Sequence, residues 1–309
     1  MSVLHAIILS LLQGASELFP VSSLGHSVLI PALLGWNEGR AGDPGNAGFV
    51  AFLVVLHLGT AIALLVFFWR DWVRVLRALG RSLARRSLSD DPDERLGWLV
   101  IIGSIPAGVL GVLFQKSLES LFDKAIPVSI FLILNGIMML VGERLRRRQT
   151  TTAATAATAA TVPAVPGGGS SVLLSDGRKG IADLGVSGGI GVGVMQALAL
   201  LPGFSRSGAS ITGGLLVGLR HEDAARYSFM LATPLIVAAN LLKAPEIFKP
   251  GANIGLGISA LGFVIAGVTA YLVIRFLMRY FETERLDPFG WYCIAFGIFC
   301  LTVFTVRGV

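Results

Sequence analysis

Residues 13–26 read QGASELFPVSSLGH and residues 201–210 read LPGFSRSGAS, each inside an otherwise apolar stretch. A cluster of Pro, Gly and Ser interrupts the regions 1–35 and 181–219 near the middle. These residues end or bend a helix, so each region predicts two half-helices around a loop. Backbone that leaves the helix at membrane depth must have its polar groups satisfied by protein or by a water-filled cavity, so both loops should face an internal site. The two regions also resemble each other. In the first, Gln13 is followed by Pro20 and then by Ser22, Gly25 and Ser27; in the second, Gln196 is followed by Pro202 and then by Ser205, Gly208 and Ser210. The spacing Ser-x-x-Gly-x-Ser is unchanged, and an apolar run ending in Leu34-Gly35 or Val217-Gly218 follows each copy.

The remainder of the chain explains why membrane depth is the right setting. Of 309 residues, 54% are hydrophobic and 14% charged, whereas a soluble domain carries about 25% charged residues. Six runs, at 48–69, 97–115, 125–142, 226–243, 254–275 and 288–306, approach or reach the roughly 20 residues that a helix needs to cross a hydrocarbon core. The expected fold is therefore all-α: a polytopic membrane protein of about six spanning helices plus two broken re-entrant regions. The apolar start, residues 5–12, is too short to span and has no basic leader or small-residue cleavage site, so no signal peptide is expected. Cys293 and Cys300 lie in the last apolar run and read as packing residues. The net charge of +6 does not point to nucleic acid, because the basic residues flank apolar runs.

Those basic residues also give an orientation. With residues 36–47 outside, the loops at 70–95, 143–180, 220–226 and 275–287 become cytoplasmic and hold 18 of the 25 Lys and Arg residues. Arg206 alone lies inside a broken region. The first region would then dip in from outside and the second from the cytoplasm, an inverted-topology repeat whose tips meet near the midplane. The chain divides into a first half, 1–142, a cytoplasmic stretch, 143–180, and a second half, 181–309, within one membrane domain. Residues 149–171 are a low-complexity stretch read as a flexible linker dispensable for chemistry. Residues 71–93 carry Arg74, Arg77, Arg81 and Arg85 over Val75, Leu76, Leu79 and Leu83, which suits a short amphipathic helix on the inner surface.

Few residues in the broken regions can carry chemistry. Glu17 and Arg206 at membrane depth cost several kcal/mol unless paired or bathed by a cavity, which makes them functional candidates; a salt bridge that merely locks the loops would leave the hydroxyls around them unexplained. Ser16, Ser22, Ser23 and Ser27 surround Glu17, while Ser205, Ser207, Ser210 and Thr212 surround Arg206. A guanidinium amid Gly and Ser at the start of a half-helix suits a phosphate, with Gly203, Ser205, Ser207 and Ser210 as its neighbours, although Gly and Ser also serve simply to let helices pack closely in lipid. Gln13 and Glu17, four apart, share a helix face and would position a metal ion or a water. Mg²⁺ or Ca²⁺ would suit these oxygens, with the substrate's phosphates completing the shell. Ser23 and His26, three apart, would form a nucleophile and base. His57 and Asn135 read as packing or interhelical hydrogen-bonding groups, and His221 as part of a solvated loop.

The two stretches, QGASELFPVSSLGH and LPGFSRSGAS, resemble the two signatures of bacterial undecaprenyl-diphosphatases, lipid phosphatases of the bacitracin-resistance type. The likeness covers nearly the whole chain except the linker. The family's first motif, Glu or Gln, three residues, then Glu, falls on Gln13 and Glu17, and its Pro-x-Ser-Ser-x-Gly-His on Pro20 to His26. The second falls on Pro202 to Ser210, with Ser210 where the family has Thr. The resemblance implies hydrolysis of undecaprenyl diphosphate to the monophosphate on the outer side of the bacterial cytoplasmic membrane, recycling the carrier of wall polymers. It also implies a homodimer, a divalent cation, and a lipid substrate whose tail stays among membrane lipids.

The expected mechanism has Arg206, with Ser205, Ser207 and nearby amides, holding the diphosphate while Ser23 attacks the terminal phosphorus and His26 or Glu17 takes its proton. Ser22, Ser27, Gly203 and Ser210 complete the phosphate cradle, and Glu17, with Gln13, holds the cation. A variant has Glu17 activating water directly, with Ser23 only binding phosphate. The rival from another class is a lipid-phosphate transporter, since broken helices in inverted repeats are also how transporters bind substrates.

Overall fold

The computed structural model describes every residue except 37–45, 120, 122–123, 160–179, 249–254, 284 and 309. Among the described residues the regular structure is helical, apart from an isolated bridge between Pro202 and Phe204. The helices are α1 Val3–Ser16, α2 Ser23–Leu34, α3 Asn46–Phe67, α4 Trp69–Arg85, α5 Pro92–Glu119, α6 Ala125–Ala159, α7 Val186–Ala197, α8 Arg206–Leu216, α9 His221–Lys243, α10 Leu256–Tyr280 and α11 Asp287–Arg307. Six of them, α3, α5, α6, α9, α10 and α11, are long and apolar enough to cross a membrane. The pairs α1–α2 and α7–α8 are the short helices on either side of the two interruptions.

The repeated Ser-x-x-Gly acquires a physical meaning in these short helices. Ser22 caps α2 by accepting a hydrogen bond from the Gly25 N–H, and Ser205 caps α8 by accepting from Gly208, both at 3.1 Å. Each satisfies a backbone donor that lipid would leave orphaned. Each copy also closes on a glycine with positive φ, Gly35 at 69° and Gly218 at 96°.

Helix contacts recur in matched sets. α1 packs on α10 as α7 packs on α5, α3 on α10 as α9 on α5, and α2 on α11 as α8 on α6, while α6 pairs with α11 and α3 with α9. Small residues let the first of these sets approach closely: a Cβ on Gly14 of α1 would come within 2.5 Å of the Ala266 oxygen on α10, and one on Gly193 of α7 would collide with the Gly103 oxygen on α5.

Three expectations need correction. The helix α6 continues to Ala159, into the stretch read as linker; its Ala-rich run has high helix propensity and extends a helix the spanning segment already nucleates. Residues 160–171 of that stretch lie outside the described residues, as does most of the loop at 36–47. The helix α9 begins at His221, before the expected start, because Glu222 and Asp223 fall in its first turn, where the helix dipole favours acids. His221 is accordingly buried rather than solvated, with Nε2 2.8 Å from Oε2 of the buried Glu143 on α6. The amphipathic segment is present as α4, packed on α5 through Leu79 and a Trp98-to-Ser82 hydrogen bond.

Candidate active site

The two interruptions touch. Asn135 of α6 donates to the Pro20 carbonyl at 3.2 Å and accepts from the Ser205 N–H at 3.1 Å, so one buried amide ties both loops to the same helix. This is the interhelical role expected of it. Ser207 donates to the Phe19 carbonyl at 3.1 Å, a second tie between the loops. Gly203, with φ 110°, lies where the second loop presses on α6: an added Cβ would collide with the Val128 oxygen, and Gly25 in the first turn of α2 packs against its Cα.

At this junction one carboxylate gathers the chemistry. Glu17, 8% exposed, accepts at Oε1 from Arg206 Nη2 at 3.0 Å and at Oε2 from Ser23 Oγ at 2.5 Å and Gln13 Nε2 at 3.1 Å. Ser23 and Arg206 are the first helical residues of α2 and α8, each just after its capping serine. Corresponding positions of the two copies therefore deliver a hydroxyl and a guanidinium to opposite oxygens of one acid. Arg206 Nη1 is buried and makes no hydrogen bond, which leaves a donor for a further oxygen.

The remaining expected site residues divide by what their polar atoms do. Ser22 and Ser205 cap their helices, Ser205 also lying 3.0 Å from the Ser207 hydroxyl. Ser210 donates to the Arg206 carbonyl at 2.7 Å and lies 2.6 Å from Ser228 Oγ of α9. A serine hydroxyl suffices for those bonds where the family motif has Thr. Ser27 is buried on α2.

His26 does not pair with Ser23. Its Nδ1 meets the Ser22 carbonyl at 2.7 Å and its Nε2 the Tyr292 hydroxyl at 2.8 Å, and the ring stacks with Tyr292 and Phe296 of α11. With both nitrogens engaged, His26 holds the turn that precedes Ser23, and it is Glu17 that meets the Ser23 hydroxyl. Sequence reasoning also missed His57. Read from the sequence as a packing or interhelical hydrogen-bonding group, it lies on α3 with Nε2 3.6 Å from Glu17 Oε2. The partner is distant in sequence, and no local signal at His57 marks the approach.

A divalent cation finds a partial fit here. Among the described residues no three His, Cys, Asp or Glu side chains converge on a metal site. The Gln13 amide oxygen, however, is buried without a hydrogen-bond partner beside the Glu17 carboxylate. Such an orphaned oxygen next to an acid suits a cation that takes its remaining ligands from a substrate.

The sequence has close counterparts. The family model described as "Bacitracin resistance protein BacA" matches residues 6–299. An undecaprenyl-diphosphatase of Mycolicibacterium paratuberculosis is 46% identical over 300 residues, covering 96% of this chain and 95% of that protein. Undecaprenyl-diphosphatase 2 of Frankia alni is 42% identical over 343 residues, 99% of each chain, and that of Chromobacterium violaceum 42% identical over 306 residues, 96% and 97%. Glu17, Ser23 and Arg206, brought together from two distant motifs, all fall inside the matched span, and this chain belongs to the bacitracin resistance protein BacA family.

Proposed function

We propose that this chain hydrolyses undecaprenyl diphosphate to undecaprenyl phosphate and inorganic phosphate, recycling the lipid carrier for cell-wall synthesis and conferring bacitracin resistance. The observation that carries the reading is Glu17 bonded on one oxygen to the Ser23 hydroxyl and on the other to Arg206. That arrangement brings a nucleophile, its base and an anion-binding guanidinium to one point.

In the reaction, Arg206 Nη1 and the amides at the start of α8 hold the diphosphate, and Ser23 Oγ attacks the terminal phosphorus. Glu17 Oε2 takes the hydroxyl proton across the 2.5 Å bond. The Oγ–P bond forms as the bond from phosphorus to the bridging oxygen breaks, releasing the prenyl monophosphate. The proton on Glu17 passes to the departing monophosphate; water then attacks the phosphoserine, Glu17 taking its proton and returning it to Ser23 Oγ as the Oγ–P bond breaks, and phosphate leaves. Phosphoryl transfer depends on positioning and charge stabilisation, which Arg206 supplies. A divalent cation, Mg²⁺ or Ca²⁺, would be held by Glu17 and the Gln13 oxygen and would neutralise charge on the transferring group. Direct attack by water is the alternative; the short Ser23–Glu17 bond favours the phosphoenzyme route.

The count of basic loops supports a bacterial cytoplasmic membrane protein with this site opening to the outer side. The matched helix contacts and the paired Ser caps support the inverted repeat with re-entrant loops. A homodimer is the working assembly the family likeness suggests. A lipid-phosphate transporter finds no support among the relatives, which are named as diphosphatases.

The test is phosphate release from undecaprenyl diphosphate by detergent-purified protein, with and without Mg²⁺ or Ca²⁺. Arg206→Ala and Glu17→Ala should each lose about a hundredfold or more in rate. No release from well-folded wild type under any cation would sink the proposal.

A further inference from the structure

The Glu17 oxygen that accepts from Ser23 and Gln13 is also the one His57 approaches, and the geometry of that approach is unusual. The His57 Nδ1 lies 2.8 Å from the Leu53 carbonyl one turn back, so it donates there and leaves Nε2 without its proton in the neutral ring. At 3.6 Å from Glu17 Oε2, Nε2 is too far for a hydrogen bond. Two ligands of one small cation, each about 2.1 Å from it, lie about 3.0–3.5 Å apart. A histidine whose far nitrogen donates to a backbone carbonyl while the near one faces a carboxylate is in the orientation metal-bound imidazoles adopt. The Gln13 amide oxygen, buried and unpartnered, sits beside the same carboxylate. Exchanging the two ends of that amide would turn its oxygen toward Oε2, where a cation would welcome it and an empty site would not.

The second copy of the repeat is an internal comparison. Gln196 holds the place of Gln13, but Leu200 stands at the position of Glu17. Both polar atoms of the Gln196 amide are buried without partners. The amide therefore recurs in both copies, whereas the acid one turn on belongs to the first alone.

We propose that His57 Nε2, Glu17 Oε2 and the Gln13 amide oxygen together bind the divalent cation of this chain, and that the imidazole biases the site toward Mn²⁺ over Ca²⁺. This rests on the cation reading of the proposed function and extends it with a third ligand and a preference. Imidazole nitrogen suits first-row transition ions, whereas Ca²⁺ takes oxygen ligands at longer distances. The Arg206 guanidinium stays on Oε1, so cation and guanidinium flank the carboxylate rather than compete for one oxygen.

The experiment is Mn²⁺ titration of the full-length protein in detergent, followed by electron spin-echo spectroscopy of the bound ion. The expected result is a nitrogen modulation typical of imidazole in wild type. His57→Gln should remove that modulation and weaken Mn²⁺ binding by about tenfold or more, with Ca²⁺ binding changed far less. Bound Mn²⁺ without nitrogen modulation in wild type overturns the proposal whatever the variant's folding, and so does equal Mn²⁺ binding by wild type and His57→Gln. Phosphate release measured on the same samples separates the two readings: a wild type that releases phosphate but shows no nitrogen ligand loses this proposal alone, whereas one that releases none loses the phosphatase.

Discussion

Ser22 adopts φ 71°, a conformation that side chains other than glycine rarely take. Its hydroxyl caps α2 and its carbonyl holds both the backbone and the ring of His26, so the strain is maintained by the turn that aims Ser23. Ser22→Gly relieves the strain and keeps most of the capping, whereas Ser22→Ala loses the cap and keeps the strain. Thermal unfolding in detergent should therefore show Ser22→Ala destabilised by about 1 kcal/mol and Ser22→Gly by clearly less. If Ser22→Gly also releases phosphate at the wild-type rate, its hydroxyl is no phosphate ligand. Ser23→Ala should abolish trapping of a phosphoserine on rapid quench; wild-type turnover in that variant would favour direct attack by water. Tyr292→Phe frees one nitrogen of His26 without altering the stack, and a slower rate with unchanged KM would mark His26 as a positioning residue.

At the level of elements, helix ends carry the charges. Glu143, 1% exposed near the end of the α6 span, meets His221 at the start of α9 and lies 3.8 Å from Arg146 and 3.6 Å from Arg147, while Arg147 also bonds Asp287 at the start of α11. Three helices are thus joined by one network, Glu143 to α9 and Arg147 to α11. Removing one partner of such a pair leaves an uncompensated charge, so Glu143→Ala should cost about 3 kcal/mol of stability, read as a lowered midpoint of thermal aggregation. The helix α4 distributes its residues by face: Val75, Ala78 and Ser82 are buried, Arg74, Arg81 and Arg85 pair with Asp71, Asp91, Asp93 and Glu94, and Trp69, Leu76 and Leu83 are exposed one heptad apart. An exposed apolar stripe beside arginines suits the bilayer interface. A spin label at Leu76→Cys, specific because both native cysteines are buried, should be more accessible to oxygen than to a water-soluble nickel chelate in liposomes.

Over the whole molecule, the two halves meet through α6–α11, α3–α9 and the paired loops. Fragments 1–159 and 172–309, expressed together, should therefore reassemble and release phosphate, and failure to co-purify would show that the linking stretch is needed for folding. The sequence by itself determined the membrane class, the six long helices, the two interruptions and the choice of Glu17 and Arg206 as the charges to examine; that these two pair was decided by the fold. Length, hydropathy and the cost of a charge in lipid act on each segment alone and leave their mark in composition. The repeated Ser-x-x-Gly was legible too, although its role in capping the two short helices was not. Only the tertiary structure decided that Ser23 bonds Glu17 instead of His26, that His57 joins the site, and that His221 is buried against Glu143. Those contacts depend on how spanning helices rotate and slide against one another, and in a chain whose spans are apolar on every face no periodicity in the sequence records which side chain turns inward.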